Sequence, residues 1–321
     1  MRTRMAFMSA LALACLAGPH ASAQTWPNQP IKLIVPIAPG SVTDVAARYL
    51  GQELSPRLGQ PVVVVNRPGA NMIIGAQECA QADPDGNTVC LTSADAMSYN
   101  PFTLGKLPYD PDTDFRPVTN MYFVMEAVLA KQADNVASID ALRKLAVSSP
   151  GKYNFGTLGP GSTVDTFRRW LNDYWKTELI AVPYKGGSEI VNALLAGEID
   201  VARIGLGNIA GYLDDKRVHI LGVRSSKRLP GIPNVPTLDE AGLGDYPGKP
   251  WWGVVVPAKT PDAVVARLNK EIVAVMQQKN MADFMTTQFL EPSFGSPKEF
   301  GDFLKEDRAR AKILISKYPS K

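Results

Sequence analysis

Histidine, cysteine and long apolar runs are scarce in this chain of 321 residues. It has two histidines and three cysteines, which leaves little material for zinc sites, cysteine proteases or histidine-based acid and base catalysis. The phosphate-loop motif G-x-x-x-x-G-K-[ST] and the serine-hydrolase motif G-x-S-x-G are both missing, which argues against nucleotide binding and serine hydrolysis. After the leader, no stretch reaches the roughly 18 apolar residues of a membrane helix.

Charge of one sign is also missing. The chain has 34 basic and 31 acidic residues, and loss of Arg2 and Arg4 with a leader would leave 32 basic residues against the same 31 acidic ones. So even a balance offers no general attraction for nucleic acid or anionic lipid. With 45% hydrophobic and 20% charged residues, the composition is typical of a globular protein, and the length favours two lobes or one large α/β domain.

The N-terminus has the features of a secretory signal peptide. Arg2 and Arg4 precede an apolar run over residues 5–17, and Ala21-Ser22-Ala23 follows as an A-x-A cleavage signal. We therefore predict secretion, with cleavage after Ala23. One alternative is a retained membrane anchor, which the short apolar run disfavours. Another is a lipoprotein attached through Cys15, which lacks the usual leucine three residues upstream.

Two cysteines remain after that cleavage, Cys79 and Cys90, eleven positions apart. The pattern predicts a helix over residues 74–82, a turn at 83–86 and a strand at 88–92, so the chain reverses between the cysteines. Because a secreted chain folds in an oxidising compartment, we favour a disulfide over two buried thiols.

Apolar runs of strand length alternate with helical patterns, which is typical of βαβ units and of an α/β fold. One series ends near residue 120, and a second begins with a strand at 122–130. Two amphipathic helices near the C-terminus are expected to return to the first lobe. The predicted organisation is a signal peptide at 1–23, the first part of lobe 1 at 24–120, lobe 2 at 121–228 and a return to lobe 1 at 229–321.

Two glycine-containing loops stand between a strand and a helix, one in each half. Residues 39–44 read P-G-S-V-T-D, and residues 159–163 read G-P-G-S-T. Ligands of open α/β sheets lie beyond the carboxyl ends of strands, where glycine permits close approach and free helix amides favour an anion. Either loop alone is explained by a turn and a helix cap. Their matching positions favour an anion site between two lobes.

Ordered short motifs run along nearly all of the mature chain. They are Trp26-Pro27-x-x-Pro30-Ile31, Val35-Pro36, Pro39-Gly40, Thr43-Asp44, Val64-Val65-Asn66-Arg67-Pro68-Gly69-Ala70, Pro84-Asp85-Gly86, Asn100-Pro101, Leu107-Pro108-Tyr109-Asp110, Asp114-Phe115, Gly159-x-Gly161-Ser162, Val182-Pro183-Tyr184-Lys185-Gly186, Pro236-Thr237-x-x-Glu240-x-Gly242 and Pro257-x-x-Thr260-Pro261. In these motifs the chain resembles the Bug/TctC family of periplasmic receptors that serve tripartite tricarboxylate transporters. The resemblance implies an α/β, two-lobed periplasmic binding protein, type II-like, with crossing strands between lobes that close on a small carboxylate like a flytrap, without catalysis.

Three departures from the family pattern bear on the ligand. Ser41 stands where the first loop commonly has a second glycine, and Asn71-Met72 replaces the glycine pair often found after N-R-P-G-A. After Asp200-Val201 the family usually has an apolar residue and soon an aspartate, whereas this chain has Arg203. A guanidinium there favours a second carboxylate on the ligand. The alternative role for Arg203 is a surface or interlobe ion pair.

The remaining candidates lie at strand ends. Tyr184 could contact a ligand or pack between the lobes, and Ser93 is a candidate hydroxyl donor. Asp95 could instead orient loop amides or water, because a bare carboxylate repels an anion. The residues expected to form the ligand site are Pro39, Gly40, Ser41, Thr43, Asp44, Ser93, Asp95, Gly159, Gly161, Ser162, Thr163, Tyr184 and Arg203.

The expected function is capture of a small organic carboxylate in the periplasm, followed by delivery to membrane transporter subunits. The ligand would be a di- or tricarboxylate, including aromatic dicarboxylates. We expect a monomer that uses no cofactor or metal and binds no nucleic acid. Two other classes stay open, namely a secreted α/β enzyme acting on carboxylates and a sensory receptor for a histidine kinase.

Overall fold

A computed structural model describes residues 26–132 and 136–319 of the chain. The predicted signal peptide, its cleavage site after Ala23 and Cys15 lie outside the described residues. None of the helices within the two described ranges has the length and apolar character of a membrane span.

Eleven strands and nine α-helices are described in these ranges. The strands are β1 (Ile31–Val35), β2 (Val62–Asn66), β3 (Thr88–Ser93), β4 (Phe115–Val124), β5 (Glu126–Lys131), β6 (Asn154–Thr157), β7 (Ile180–Pro183), β8 (Val201–Gly205), β9 (Val218–Val223), β10 (Trp251–Pro257) and β11 (Leu290–Pro292). The helices are α1 (Val42–Leu58), α2 (Ile73–Ala80), α3 (Asn100–Thr103), α4 (Ile139–Ser148), α5 (Thr163–Trp175), α6 (Gly187–Ala196), α7 (Asp262–Met276), α8 (Lys279–Thr287) and α9 (Pro297–Lys317). A π-helical segment spans Asp95–Tyr99, and a 3₁₀ helix spans Leu206–Tyr212.

Lobe 1 is built on a six-stranded sheet with the order β11-β4-β10-β3-β1-β2. β1 pairs in parallel with β2 and β3, whereas β10 runs antiparallel to β3 and β4. Continuous apolar runs such as IKLIV in β1 and WWGVVVP in β10 are typical of strands covered on both faces, and both strands are buried. α1 packs its apolar side on this sheet and ends at Gly59, whose positive φ of 73° terminates the helix.

Lobe 2 is built on a five-stranded sheet with the order β7-β6-β8-β5-β9. β6 pairs in parallel with β7 and β8, and β5 runs antiparallel to β8 and β9. The carboxyl ends of β6 and β8 therefore lie on the same edge, as do those of β1 and β3 in lobe 1. Each lobe thus presents an edge at which strand-to-helix loops collect.

The chain crosses between the sheets twice. The first crossing is at Met125, between β4 and β5. Its amide donates to Phe289 O beside β11 of lobe 1 (3.2 Å), and its carbonyl accepts from Leu206 N after β8 of lobe 2 (2.7 Å). The single strand that the sequence predicted at 122–130 is therefore divided, and the first crossing lies beyond residue 120. The second crossing is the long segment between β9 and β10, which follows Val223.

The predicted disulfide is confirmed. Cys79 in α2 is bonded to Cys90 in β3, with 6.2 Å between their Cα atoms. The bridge links α2 to β3, a central strand of the lobe 1 sheet.

Candidate functional site

The two glycine loops share one construction. Gly40 N donates to Asp44 Oδ2 at 2.9 Å, and Gly161 N donates to Asp165 Oδ2 at 3.0 Å. Both glycines have positive φ, 77° and 75°, which residues with a side chain rarely adopt. In each lobe a first-turn aspartate of the helix thus holds the loop that leads into it.

Each of these aspartates is neutralised within its own lobe. Asp44 accepts hydrogen bonds from Arg48 (3.0 Å) and Asn66 (2.8 Å). Burial acts to raise the pKa of Asp44, but these bonds and that from Gly40 outweigh it and hold the pKa below its ordinary value. Asp165 pairs in the same way with arginines of α5. The Asp44 carboxylate, which the sequence assigned to the ligand, therefore serves to shape its loop.

The lobes cap each other's helices. Asn208, in the 3₁₀ helix of lobe 2, accepts a hydrogen bond from Val42 N at the start of α1 (2.9 Å). Asp95 of lobe 1 accepts hydrogen bonds from Thr163 N (2.6 Å) and Thr163 Oγ1 (3.1 Å) at the start of α5. Because both helix N-termini face the opposite lobe, the two anion-favouring ends lie on either side of a shared cleft.

The first loop also touches lobe 2 directly. Ala38 N donates to Lys185 O (3.3 Å), and Ser188 Oγ donates to Pro39 O (3.2 Å). Ser41 Oγ lies 3.4 Å from Ser188 Oγ. A Cβ on Gly186 would come within 2.7 Å of Ser41 Oγ, so glycine is required for this approach. These contacts define a closed arrangement of the lobes.

A small inner chamber of about 60 Å³ lies between the helix N-termini. It brings together four of the predicted residues, Ser41, Thr43, Asp95 and Thr163. Three polar or aromatic residues of its lining were not predicted from the sequence: Glu126, Asn208 and Trp252. Among the described residues that line it, the charged ones are Asp95 and Glu126.

A larger outer chamber of about 560 Å³ adjoins it. Gly159 and Tyr184 from the predicted set line this space, together with residues of both lobes. Met72 and Leu158 line both chambers and so form the boundary between them. The inner chamber holds the predicted polar groups and the outer one supplies most of the volume, so we treat the two as one cleft.

Three other predicted residues, Ser93, Gly161 and Ser162, line neither chamber and instead hold neighbouring segments in place. Ser162 is the N-cap of α5, since its Oγ accepts from Asp165 N (3.1 Å) and donates to Gly159 O (2.8 Å). Ser93 Oγ donates to Met72 Sδ at 2.9 Å. A Cβ on Gly161 would lie 2.4 Å from Thr103 Cβ, so this glycine allows α3 to approach the loop.

Arg203, for which the sequence left a ligand contact and an ion pair open, lines neither chamber. Its side chain is 0% exposed, is paired with Glu126 and lies over the rings of Phe167 (4.4 Å) and Tyr246 (4.8 Å). Successive residues of a strand point to opposite faces, and the next residue, Ile204, is the one that lines the inner chamber. In this closed arrangement Arg203 therefore neutralises a buried carboxylate instead of facing the cleft.

Burial perturbs both carboxyl groups of the inner chamber. It raises the pKa of Asp95 to about 6, although hydrogen bonds from Thr163 oppose the shift. Burial also raises the pKa of Glu126, against the influence of Arg203 and Arg224. Because the charged residues of this lining are both acidic, an anion in the chamber would be held by amides and hydroxyls. The helix N-termini would supply the positive potential.

Two α/β lobes that are joined by two crossing segments and close over a shared cleft define a solute-binding protein of the periplasmic type. A family model described as "Tripartite tricarboxylate transporter family receptor" (TctC) matches residues 46–319. The chain belongs to this family of periplasmic solute-binding receptors.

Relatives and solved structures agree with that assignment. The chain is 34% identical over 295 residues to a UPF0065 protein from the tcbD–tcbE intergenic region of a Pseudomonas species, covering 91% of this chain and 87% of the relative. It is 30% identical to BugT of Bordetella pertussis, covering 94% and 92%. The structure of Rpa4515 of R. palustris with adipate matches with a TM-score of 0.86 and 28% identity, covering 91% and 97%. That of MatC from Rhodopseudomonas palustris with bound malate matches with 0.84 and 26%, covering 90% and 100%.

Proposed function

We propose that this protein captures a small organic carboxylate between its lobes in the periplasm and delivers it to the membrane subunits of a transporter. The observation that carries the proposal is the meeting of two helix N-termini and three hydroxyl side chains, of Ser41, Thr43 and Thr163, around one chamber. Backbone amides and hydroxyls at helix N-termini bind carboxylates without a charged partner.

Ligand entry requires the lobes to separate. The inner chamber, about 60 Å³, is far smaller than the roughly 300 Å³ at which ligand pockets begin. Asn208 and Asp95 also occupy amides at the two helix N-termini. A ligand carboxylate would take the place of one of these caps as the lobes close around it.

Family membership supports the ligand class. Adipate and malate, each named with a structurally similar protein, are dicarboxylates. Because the family is one of receptors, we expect the ligand to be returned chemically unchanged. We further propose that the protein acts as a monomer, which light scattering would test, and that cleavage follows Ala23, which N-terminal sequencing of the secreted protein would test.

Isothermal titration calorimetry with malate and adipate tests the proposal. Thr43→Val removes a hydroxyl from the inner chamber while keeping the side-chain shape, and loss of a hydrogen bond to a charged ligand should weaken binding about tenfold to a hundredfold. Thr286→Val, on the exposed side of α8, is the matched control and should bind as the unmodified protein does. Equal affinity in Thr43→Val, or recovery of a chemically altered ligand, would contradict the proposal.

A further inference from the structure

Two acidic side chains stand where the ligand carboxylate is expected. Asp95 and Glu126 both line the inner chamber of about 60 Å³. Their exposed fractions are only 4% and 3%. No lysine, arginine or histidine is among the described residues that line this chamber. A ligand carboxylate would therefore bring a further negative charge into a small space without a basic side chain, and like charges so close disfavour one another's ionised forms.

The two acids differ in their partners. Glu126 forms an ion pair with Arg203, and Arg224 also acts to lower its pKa. Asp95 instead accepts hydrogen bonds from Thr163 N (2.6 Å) and Thr163 Oγ1 (3.1 Å), which are neutral donors. Burial raises the pKa of Asp95 to about 6 against these bonds. Because its donors are neutral, Asp95 is the acid that accepts a proton when another negative charge approaches.

The other titratable groups around Asp95 do not compete for that proton. Electrostatic interactions link Asp95 to Tyr99, Tyr109 and Glu126. Burial raises the pKa of Tyr109 to about 12 and that of Tyr99 well above its ordinary value, so both phenols stay neutral in neutral solution. Any negative charge on Glu126 favours the protonated form of Asp95.

A bound carboxylate competes with Asp95 for the same donors. A ligand that reaches the N-terminus of α5 uses the Thr163 N–H and O–H groups, which Asp95 occupies in the closed arrangement. These bonds act to lower the pKa of Asp95, so their loss raises it, and the ligand's charge raises it further. A protonated carboxyl group is a hydrogen-bond donor, and its bond to an anionic oxygen is short and strong.

We propose that the protein takes up one proton as it binds its carboxylate, and that this proton converts Asp95 from the acceptor of the Thr163 hydrogen bonds into a hydrogen-bond donor to the ligand. The proton comes from the solvent and binds a carboxylate oxygen of Asp95, while the ligand stays chemically unchanged. This inference rests on the proposed function and adds that ligand affinity depends on pH. Once Asp95 is ionised in the free protein, affinity falls by up to tenfold for each further pH unit.

Calorimetry in buffers of different ionisation enthalpy counts the proton. At pH 7.5 malate and adipate are fully ionised, so their binding to the unmodified protein should take up close to one proton. Asp95→Asn carries an amide that donates without titrating, and it should take up none. At pH 8, two units above the Asp95 pKa of about 6, this variant should bind up to about a hundredfold more tightly than the unmodified protein. Asp302→Asn, on α9 and paired with Lys298, is the control and should behave as the unmodified protein does.

The outcomes separate this inference from the proposed function. Proton uptake that Asp95→Asn abolishes supports the inference. Binding to the unmodified protein without proton uptake overturns it alone, as does uptake that persists in the folded variant. Asp95→Ser, which does not titrate either, replaces the asparagine variant if that one does not fold. Failure to bind malate, adipate or any other carboxylate at every pH overturns the proposed function and this inference with it.

Discussion

Replacing Asp95 by asparagine tests how the lobes are held together. In the closed arrangement Asp95 accepts from Thr163 N and contacts Thr163 Oγ1. Burial raises its pKa from 3.8 to about 6, so the folded protein binds a proton there more tightly than the unfolded chain does. The contribution of the protonated Asp95 to the free energy of unfolding is fully present below pH 3.8, and it is lost as the pH rises through about 6.

The size of the effect follows from that shift. A difference of about two pKa units corresponds to about 3 kcal/mol between the protonated and ionised forms. Asparagine mimics the protonated acid, because its carbonyl can accept from Thr163 N and its amino group can donate to Thr163 Oγ1. Asp95→Asn should therefore be more stable than the unmodified protein at pH 7.5 by up to about 3 kcal/mol, and equal to it near pH 4.

Urea unfolding between pH 4 and 8 measures this difference. Burial raises the pKa of Glu126, and the Asp95 carboxylate raises it further, so part of the measured difference comes from Glu126. Asp302→Asn is the control, since Asp302 lies on the exposed side of α9, where Lys298 lowers its pKa. Parallel stability profiles for the unmodified protein and Asp95→Asn would refute the reasoning.

Two further predictions concern the interlobe contacts and the buried ion pair. Asn208→Ala removes the cap on α1 and should lower the free energy of unfolding by about 1 kcal/mol. X-ray scattering of the variant without ligand should then detect a larger radius of gyration. An unchanged radius would show that the cap does not hold the lobes together. Arg203→Ala leaves Glu126 buried without its partner and should lower the free energy of unfolding by about 3 to 5 kcal/mol, while calorimetry should show the same relative affinities for mono- and dicarboxylates. A selective loss for dicarboxylates would restore the ligand role that the sequence suggested for Arg203.

Local sequence patterns predicted the two strand-to-helix loops. The spacing of glycine, hydroxyl residues and aspartate in residues 39–44 signalled a strand-to-helix loop, and the structure has the same construction around Gly161. Such loops depend on backbone conformation and on neighbours within four residues, which a sequence displays directly. The disulfide could be predicted for a similar reason, because a turn brings Cys79 and Cys90 together.

Contacts between distant segments were beyond the same reasoning. Asn208 reaches Val42 across 166 positions, and only the closed arrangement of the lobes brings them together. The sequence left a ligand contact and an ion pair open for Arg203, because a one-residue change of strand register exchanges the two faces of a sheet and the sequence does not show the register. Glu126 could have been noticed as a lone acid inside the apolar run of residues 122–130, but its partner could not have been identified without the pairing of β5 with β8.

A crystal structure of the protein with the carboxylate that binds best in calorimetry tests the central claim most directly. The account predicts one carboxylate group between the N-termini of α1 and α5, within hydrogen-bonding distance of Thr43 and Thr163 and thus of both lobes. Electron density for the ligand outside the cleft, or contacts with a single lobe only, would contradict it.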